Sequence, residues 1–236
     1  MWILSIDTAT KVTGLAVHFK CGLVAESFLH TGKTHSERLM PMVLQLLEQA
    51  GIGFGDLEAV AVSSGPGSFT GLRIGMATAK GIAQVRKIPL IGINTLDALA
   101  QNGLGFEGLV APVLDARKDE VYTALYGIRG REISLIGQYE AVSPAVLAER
   151  LGSGRERVLF VGDAVPVYRE LLEARLGEGA VFLPDSRSLP RGAHVGALAA
   201  ERLARGERDD IYTLKPFYIR PSEAEATWAK KFGQGG

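Results

Sequence analysis

Through its first hundred residues the chain alternates short apolar runs with polar turns. Trp2–Asp7 reads as a buried strand, and Thr8–Thr13 as the turn that follows it. Gly14–Phe19 and Leu23–Leu29 read as two more strands, joined at Lys20–Gly22. Ser36 is placed to cap a helix that runs to about Ala50, where Gly51 stops it. Pro41 should kink that helix or delay its start. Leu57–Val62 is a β run ending in the loop Ser63–Phe69. Thr70 then caps a second helix to about Val85, and Ile88–Ile93 forms the next strand. Three strands in a meander followed by β-α-β-α predict a mixed sheet with helices on its faces.

The second half repeats this order. Leu109–Asp115, Val121–Tyr126 and Ile133–Tyr139 read as strands, and Ser143 caps a helix over Pro144–Leu151. Val158–Gly162 reads as a strand, and Val165–Ala174 and Ala193–Arg205 as helices. Asn102–Gly108 holds three glycines in seven residues and is the natural seam. The expected division is one lobe over 1–104, a second over 105–221, and a flexible polar tail over 222–236.

Composition narrows the chemistry. The 236 residues are 47% hydrophobic, enough for a substantial core. Lys+Arg and Asp+Glu both number 26, so the net charge is zero and nothing draws the whole chain to a phosphate backbone. Cys21, the only cysteine, can close no internal disulfide and forms no metal site alone. Met1–Ile6 is too short an apolar run for a signal peptide, and no apolar stretch nears the roughly 18–20 residues that span a bilayer. A cytoplasmic protein without membrane attachment is expected.

Two segments carry unusual patterns. Ser63-Ser64-Gly65-Pro66-Gly67-Ser68-Phe69-Thr70-Gly71 is a glycine-rich loop feeding a helix, an arrangement that cradles an anion or simply makes a tight turn. It lacks the Gly-Lys-Ser/Thr ending of a P-loop. In the helix that follows, Gly71, Gly75, Ala79 and Ala83 recur every four residues. Glycine inside a helix costs about 0.8–1.0 kcal/mol relative to alanine, so close approach to another element must offset Gly75 and Gly81. Packing on the chain's own sheet and packing on a partner fit that spacing equally. The helix from Ser36 has a wide apolar stripe, Leu39, Met42, Val43, Leu46 and Leu47, widened by Met40 and Leu44. The histidines, His18, His30, His35 and His194, never stand at the i, i+4 spacing of a helical metal pair. Asp7, ending the first strand, either holds a magnesium ion or caps the turn after it.

The blocks Ile3-Leu4-Ser5-Ile6-Asp7-Thr8-Ala9-Thr10, His35–Pro41, Ser64–Gly75 and Tyr218-Ile219-Arg220-Pro221 together resemble the TsaB (YeaZ) family. The resemblance implies an α/β, two-lobed actin/Hsp70/sugar-kinase-like (ASKHA) fold, with a mixed five-stranded sheet and helices in each lobe. It also implies a part in placing threonylcarbamoyl on N6 of the adenosine beside the anticodon, in tRNAs reading codons that begin with A. In that family the working partner is a similar, catalytic TsaD-like subunit, joined by a TsaE-like ATPase, and tRNA is met only through the complex.

Set against its catalytic relative, this sequence lacks the expected chemistry. The relative's His-x-x-x-His metal pair aligns with Thr95 and Leu99, neither able to replace an imidazole. The first phosphate loop, Asp7-Thr8-Ala9-Thr10, has alanine where glycine is usual. The second, Asp115–Asp119, has no glycine, and Gly162-Asp163-Ala164 is one glycine short. The expectation is a non-catalytic scaffold with no cofactor and no metal. Asp7, Thr8 and Thr10 would then be a vestigial nucleotide site. The expected partner surface is Leu39, Met40, Val43, Leu47, Gly71, Leu72, Gly75, Met76 and Ala79, used for a homodimer when the chain is alone. On that expectation Gly75→Leu weakens partner binding and leaves the lone chain folded. An active ATPase or phosphotransferase of the same fold, with Asp7 on Mg²⁺, is the alternative.

Overall fold

A computed structural model describes residues 1–20, 22–30, 34–130, 132–154 and 156–220. Cys21 and the expected tail lie outside the described residues. The first sheet joins β1 (Trp2–Asp7), β2 (Val12–Phe19), β3 (Gly22–His30), β4 (Ala59–Gly65) and β5 (Leu90–Asn94) in the order β3-β2-β1-β4-β5. β1 pairs antiparallel with β2 and parallel with β4. Both faces of the sheet's central strands are buried, so apolar residues point to both sides of them and feed different cores.

On one face lie α1 (His35–Gln49) and α2 (Phe69–Arg86). Leu4, Ile6, Val60 and Val62 meet Leu39, Val43, Leu46 and Met76 there. α1 begins one residue before Ser36 and continues through Pro41, which stands on the solvent side. Thr70 does not cap α2. Ser68 does, its Oγ accepting from Gly71 N at 3.3 Å.

The other face is covered by α3 (Thr95–Ala100) and α7 (Gly192–Ala204), through Ile3, Ala61, Ile91, Ala98, Val195 and Ala199. This corrects the expected second lobe of 105–221, because its last helix folds back onto the first sheet. The reason is small residues: a side chain on Gly192 would strike the backbone of Leu15 and Ala16, and one on Gly196 would strike His18. The segment after α7 stays with the first sheet, where Asp209 bridges Leu90 and Phe217 N donates to Ser64 O at 2.6 Å.

The second sheet is also larger than expected. β6 (Leu109–Asp115), β7 (Val121–Thr123), β10 (Glu140–Val142), β11 (Val158–Val161) and β12 (Ala180–Phe182) run in the order β10-β7-β6-β11-β12. A hairpin of β8 (Tyr126–Arg129) and β9 (Glu132–Leu135) pairs with β6 off that path and makes seven strands. The apolar run Val121–Tyr126 is thus broken between two strands, and Ile133–Tyr139 ends short. α4 (Pro144–Gly152), α5 (Val165–Leu176) and the single-turn α6 (Asp185–Ser188) complete the lobe. No helix among the described residues is long and apolar enough to cross a membrane.

Candidate functional site

Two features stand out, the helix pair α1/α2 and a cleft between the lobes. In the helix pair the glycines answer to the chain itself. A Cβ on Gly71 would fall inside 3.0 Å of Thr8 O, and one on Gly75 inside 3.0 Å of Thr8 Oγ1. Thr8 Oγ1 in turn donates to Gly71 O at 2.8 Å. A Cβ on Gly67 would collide with Ala9, whose carbonyl accepts from Ser68 N at 2.6 Å. The glycine row therefore seats α2 on the turn after β1.

The surface expected from the sequence changes accordingly. Leu39, Val43, Leu47, Gly71, Leu72, Gly75, Met76 and Ala79 are all buried inside the chain, and of the nine expected residues only Met40 is exposed, at 40%. The apolar stripe of α1 and the small row of α2 are the faces each helix needs to cover its own sheet. What remains outside is the opposite side of the same helices: Met40 and Leu44 on α1, and Arg73, Ala77, Gly81 and Val85 on α2. A Cβ on Gly81 meets nothing within 4 Å. The sequence did carry a signal for this second row, since Arg73, Ala77 and Gly81 also repeat every four residues.

The cleft, about 530 Å³, is lined by Thr10, Lys11 and His30 from the first lobe and by Asp115, Arg117, Asp119 and Gly162–Ala164 from the second. Of the expected vestigial site, Thr10 lines it, while Thr8 is turned to α2. Asp7 is buried at the end of β1, with Oδ1 accepting from Ala9 N at 2.9 Å and Oδ2 without a partner among the described residues. Burial pushes its carboxyl up to about 6, opposed by the bond from Ala9 N and helped by the charge of Asp163. Burial raises the Asp163 carboxyl as well. His35, at the start of α1, spans the same turn: one ring nitrogen lies 2.8 Å from Thr13 Oγ1 and the other 2.8 Å from Thr10 O. Since Thr10 O only accepts, Nε2 donates to it.

Seven backbone amides of the three loops, and that of Val12 beside the first, bond within the chain. Thr8 N donates to Ser63 Oγ, Ala9 N to Asp7 Oδ1, and Val12 N to Thr10 Oγ1. Asp115 N donates to Asp163 Oδ1, Arg117 N to Asp115 Oδ1, and Ala116 N to Glu120 O. Gly162 N donates to Ser188 Oγ and Ala164 N to Val113 O. Without glycine, Arg117, Lys118 and Asp119 still take positive φ angles of 63°, 55° and 57°, a conformation that is uncommon for such residues and concentrates at functional loops.

The two residues matched to a metal pair in the sequence reading lie in α3. Thr95 and Leu99 are both fully buried. Between them Asp97 Oδ1 accepts from Tyr126 and Tyr139 hydroxyls, at 2.7 and 2.8 Å. Among the described residues no three His, Cys, Asp or Glu side chains gather as a metal site.

Comparison with known proteins fits this architecture. Residues 29–228 match the family described as TsaD, tRNA N6-adenosine threonylcarbamoyltransferase. The tRNA threonylcarbamoyladenosine biosynthesis protein TsaB of Bacillus subtilis is 35% identical, over 97% of this chain and 98% of its own. That of Escherichia coli is 32% identical, over 99% and 100%. Among solved structures, YeaZ from Pseudomonas aeruginosa superposes with a TM-score of 0.78 at 29% identity, covering 92% of this chain and 99% of the other. Component A of an Acidaminococcus fermentans (R)-2-hydroxyglutaryl-CoA dehydratase, at 12% identity and a TM-score of 0.53, shares the fold alone. With its two sheets in the actin/Hsp70/sugar-kinase-like arrangement and near full-length likeness to these relatives, the chain belongs to the TsaB family of tRNA threonylcarbamoyladenosine biosynthesis proteins.

Proposed function

We propose that this chain is a non-catalytic scaffold subunit in threonylcarbamoyladenosine formation, bound to a TsaD-like catalytic subunit and joined by a TsaE-like ATPase. It works in the cytoplasm, and tRNA reaches it only through the complex. The observation that carries the non-catalytic part is the amide inventory of the three cleft loops. A nucleotide of this fold is held by loop N–H groups aimed at phosphate. Here seven of those groups bond within the chain instead.

The partner surface of this reading is the outer face of α1 and α2, with Met40, Leu44, Ala77, Gly81 and Val85. Two helices from each subunit packing there form a four-helix bundle. The lone chain uses the same face isologously in a homodimer.

One observation favours a competing reading as an ATPase or phosphotransferase, namely Asp7 Oδ2 standing unpartnered near the cleft. Steady-state ATP hydrolysis and tRNA modification assays separate the two. The scaffold predicts background turnover for the chain alone and full modification after addition of TsaD-like and TsaE-like subunits. Robust turnover by the chain alone, abolished by Asp7→Ala, makes it an enzyme.

A further inference from the structure

Arg73 is the one charged residue on the outer row of α2, and it is held in place. Its guanidinium carbon sits 4.0 Å from the centre of the Phe69 ring. Phe69 is itself stacked on Tyr218, with centroids 5.1 Å apart and planes at 28°. Arg73 Nε donates to Tyr218 Oη at 3.3 Å. These contacts engage one face and one nitrogen of the guanidinium. Its two terminal amines have no partner among the described residues, although the side chain is exposed.

An exposed arginine ordinarily loses rotamer entropy when it binds something. One already stacked on an aromatic ring has lost much of that freedom beforehand, and its planar fork suits a carboxylate or phosphate side-on. We propose that Arg73 is the polar anchor of the α1/α2 face and takes an Asp or Glu carboxylate of the partner subunit between its terminal amines. This rests on the reading that the outer face meets a TsaD-like subunit.

Charge decides for a protein carboxylate over an RNA phosphate. Phosphate backbones are gripped by several cations at once. Beyond Arg73 the row continues through Ala77, Gly81 and Val85, and α1 adds Met40 and Leu44 beside it. Lys80, seven residues further along α2, acts on Asp210 of the same chain, and a cation fixed at the rim of an apolar face matches a protein interface, where rim charges set orientation and partner choice.

Calorimetric titration against the TsaD-like subunit from the same organism tests both levels. Ala77→Trp, a bulky side chain at an exposed position, should abolish binding. Arg73→Ala should weaken it roughly ten- to a hundredfold. Arg73→Lys should recover less than half of that loss, because a point charge cannot form the fork. Raising salt should weaken the wild-type complex more than the Arg73→Ala complex. Circular dichroism melts check that each exposed-site variant remains folded. If Ala77→Trp binds normally, the face itself is wrong. If Ala77→Trp is dead while Arg73→Ala binds like wild type, the anchor alone is overturned. Arg73→Lys at wild-type affinity overturns the fork, and loss of tRNA-transcript binding with unchanged subunit affinity assigns Arg73 to phosphate instead.

Discussion

The hydroxyl of Thr8 fills the space that a side chain on Gly75 would need. It donates to Gly71 O at 2.8 Å, one turn earlier on the same helix, and so pins α2 to the turn after β1. Gly75 is thus a folding residue of the lone chain. Any side chain there must displace Thr8 or lift α2 from its sheet, and overpacking of this kind costs about 1–3 kcal/mol or more. Gly75→Leu should lower the unfolding midpoint of the isolated protein in urea or heat. Unchanged stability would mean that α2 stands off from Thr8.

Gly81 behaves in the opposite way. It lies within the same helix but faces open space. Gly81→Ala should raise stability by about 0.8–1.0 kcal/mol, the ordinary helix preference for alanine, read as a higher urea midpoint with unchanged slope. A loss of stability would place another element over that face.

Asp7 makes stability depend on pH. Its folded pKa of about 6 lies above the ordinary carboxylate value of 3.8, so protonation favours the fold. This contribution is complete below about pH 3.8 and is lost as pH rises through 6. The difference of about two units corresponds to roughly 3 kcal/mol. Asp7→Asn keeps an oxygen for Ala9 N and removes the buried charge. It should stabilise the protein at pH 8 and have little effect at pH 4, measured by urea unfolding at both values. Equal effects at both would remove the buried carboxylate as the cause.

His194 acts on the acid side. Burial, with Arg191 nearby, lowers its pKa from 6.5 to about 4. The unfolded chain therefore takes up this proton first, and stability falls as pH drops from 6.5 towards 4. Asp7 gains stability over an overlapping interval and masks part of that loss. The Asp7→Asn variant should accordingly lose stability on acidification more steeply than the wild type. Parallel curves for the two proteins from pH 6.5 to 4 would contradict this.

His35 links the first turn of α1 to the cleft by its bonds to Thr10 O and Thr13 Oγ1. His35→Ala should free the Thr10–Lys11 turn, seen as faster amide exchange of Lys11 and Val12 with the rest of β1 and β2 protected. Protection equal to wild type would show that the turn holds itself.

Local sequence determined much of this protein. Strand β1 and the Ser143 cap of α4 follow from periodicity and capping chemistry, and periodicity gives α5 and α7 to within two residues, because both act within a few residues. The absence of imidazoles at Thr95 and Leu99 was equally plain, because ligand identity is a property of the side chain itself. Tertiary structure alone decided which face of each helix is free. Gly71-Gly75-Ala79 and Arg73-Ala77-Gly81 are two rows of one helix with the same spacing, and the first faces inward because Thr8 stands beneath it. It also decided that α7, distant in sequence, completes the first lobe, through glycines matched to the backbone of β2. The short strands β8, β10 and β12 escaped the sequence pattern because three or four residues give too little periodicity, and their neighbours in the sheet define them. Periodicity shows that a face will be buried; what buries it depends on residues brought near only by the fold.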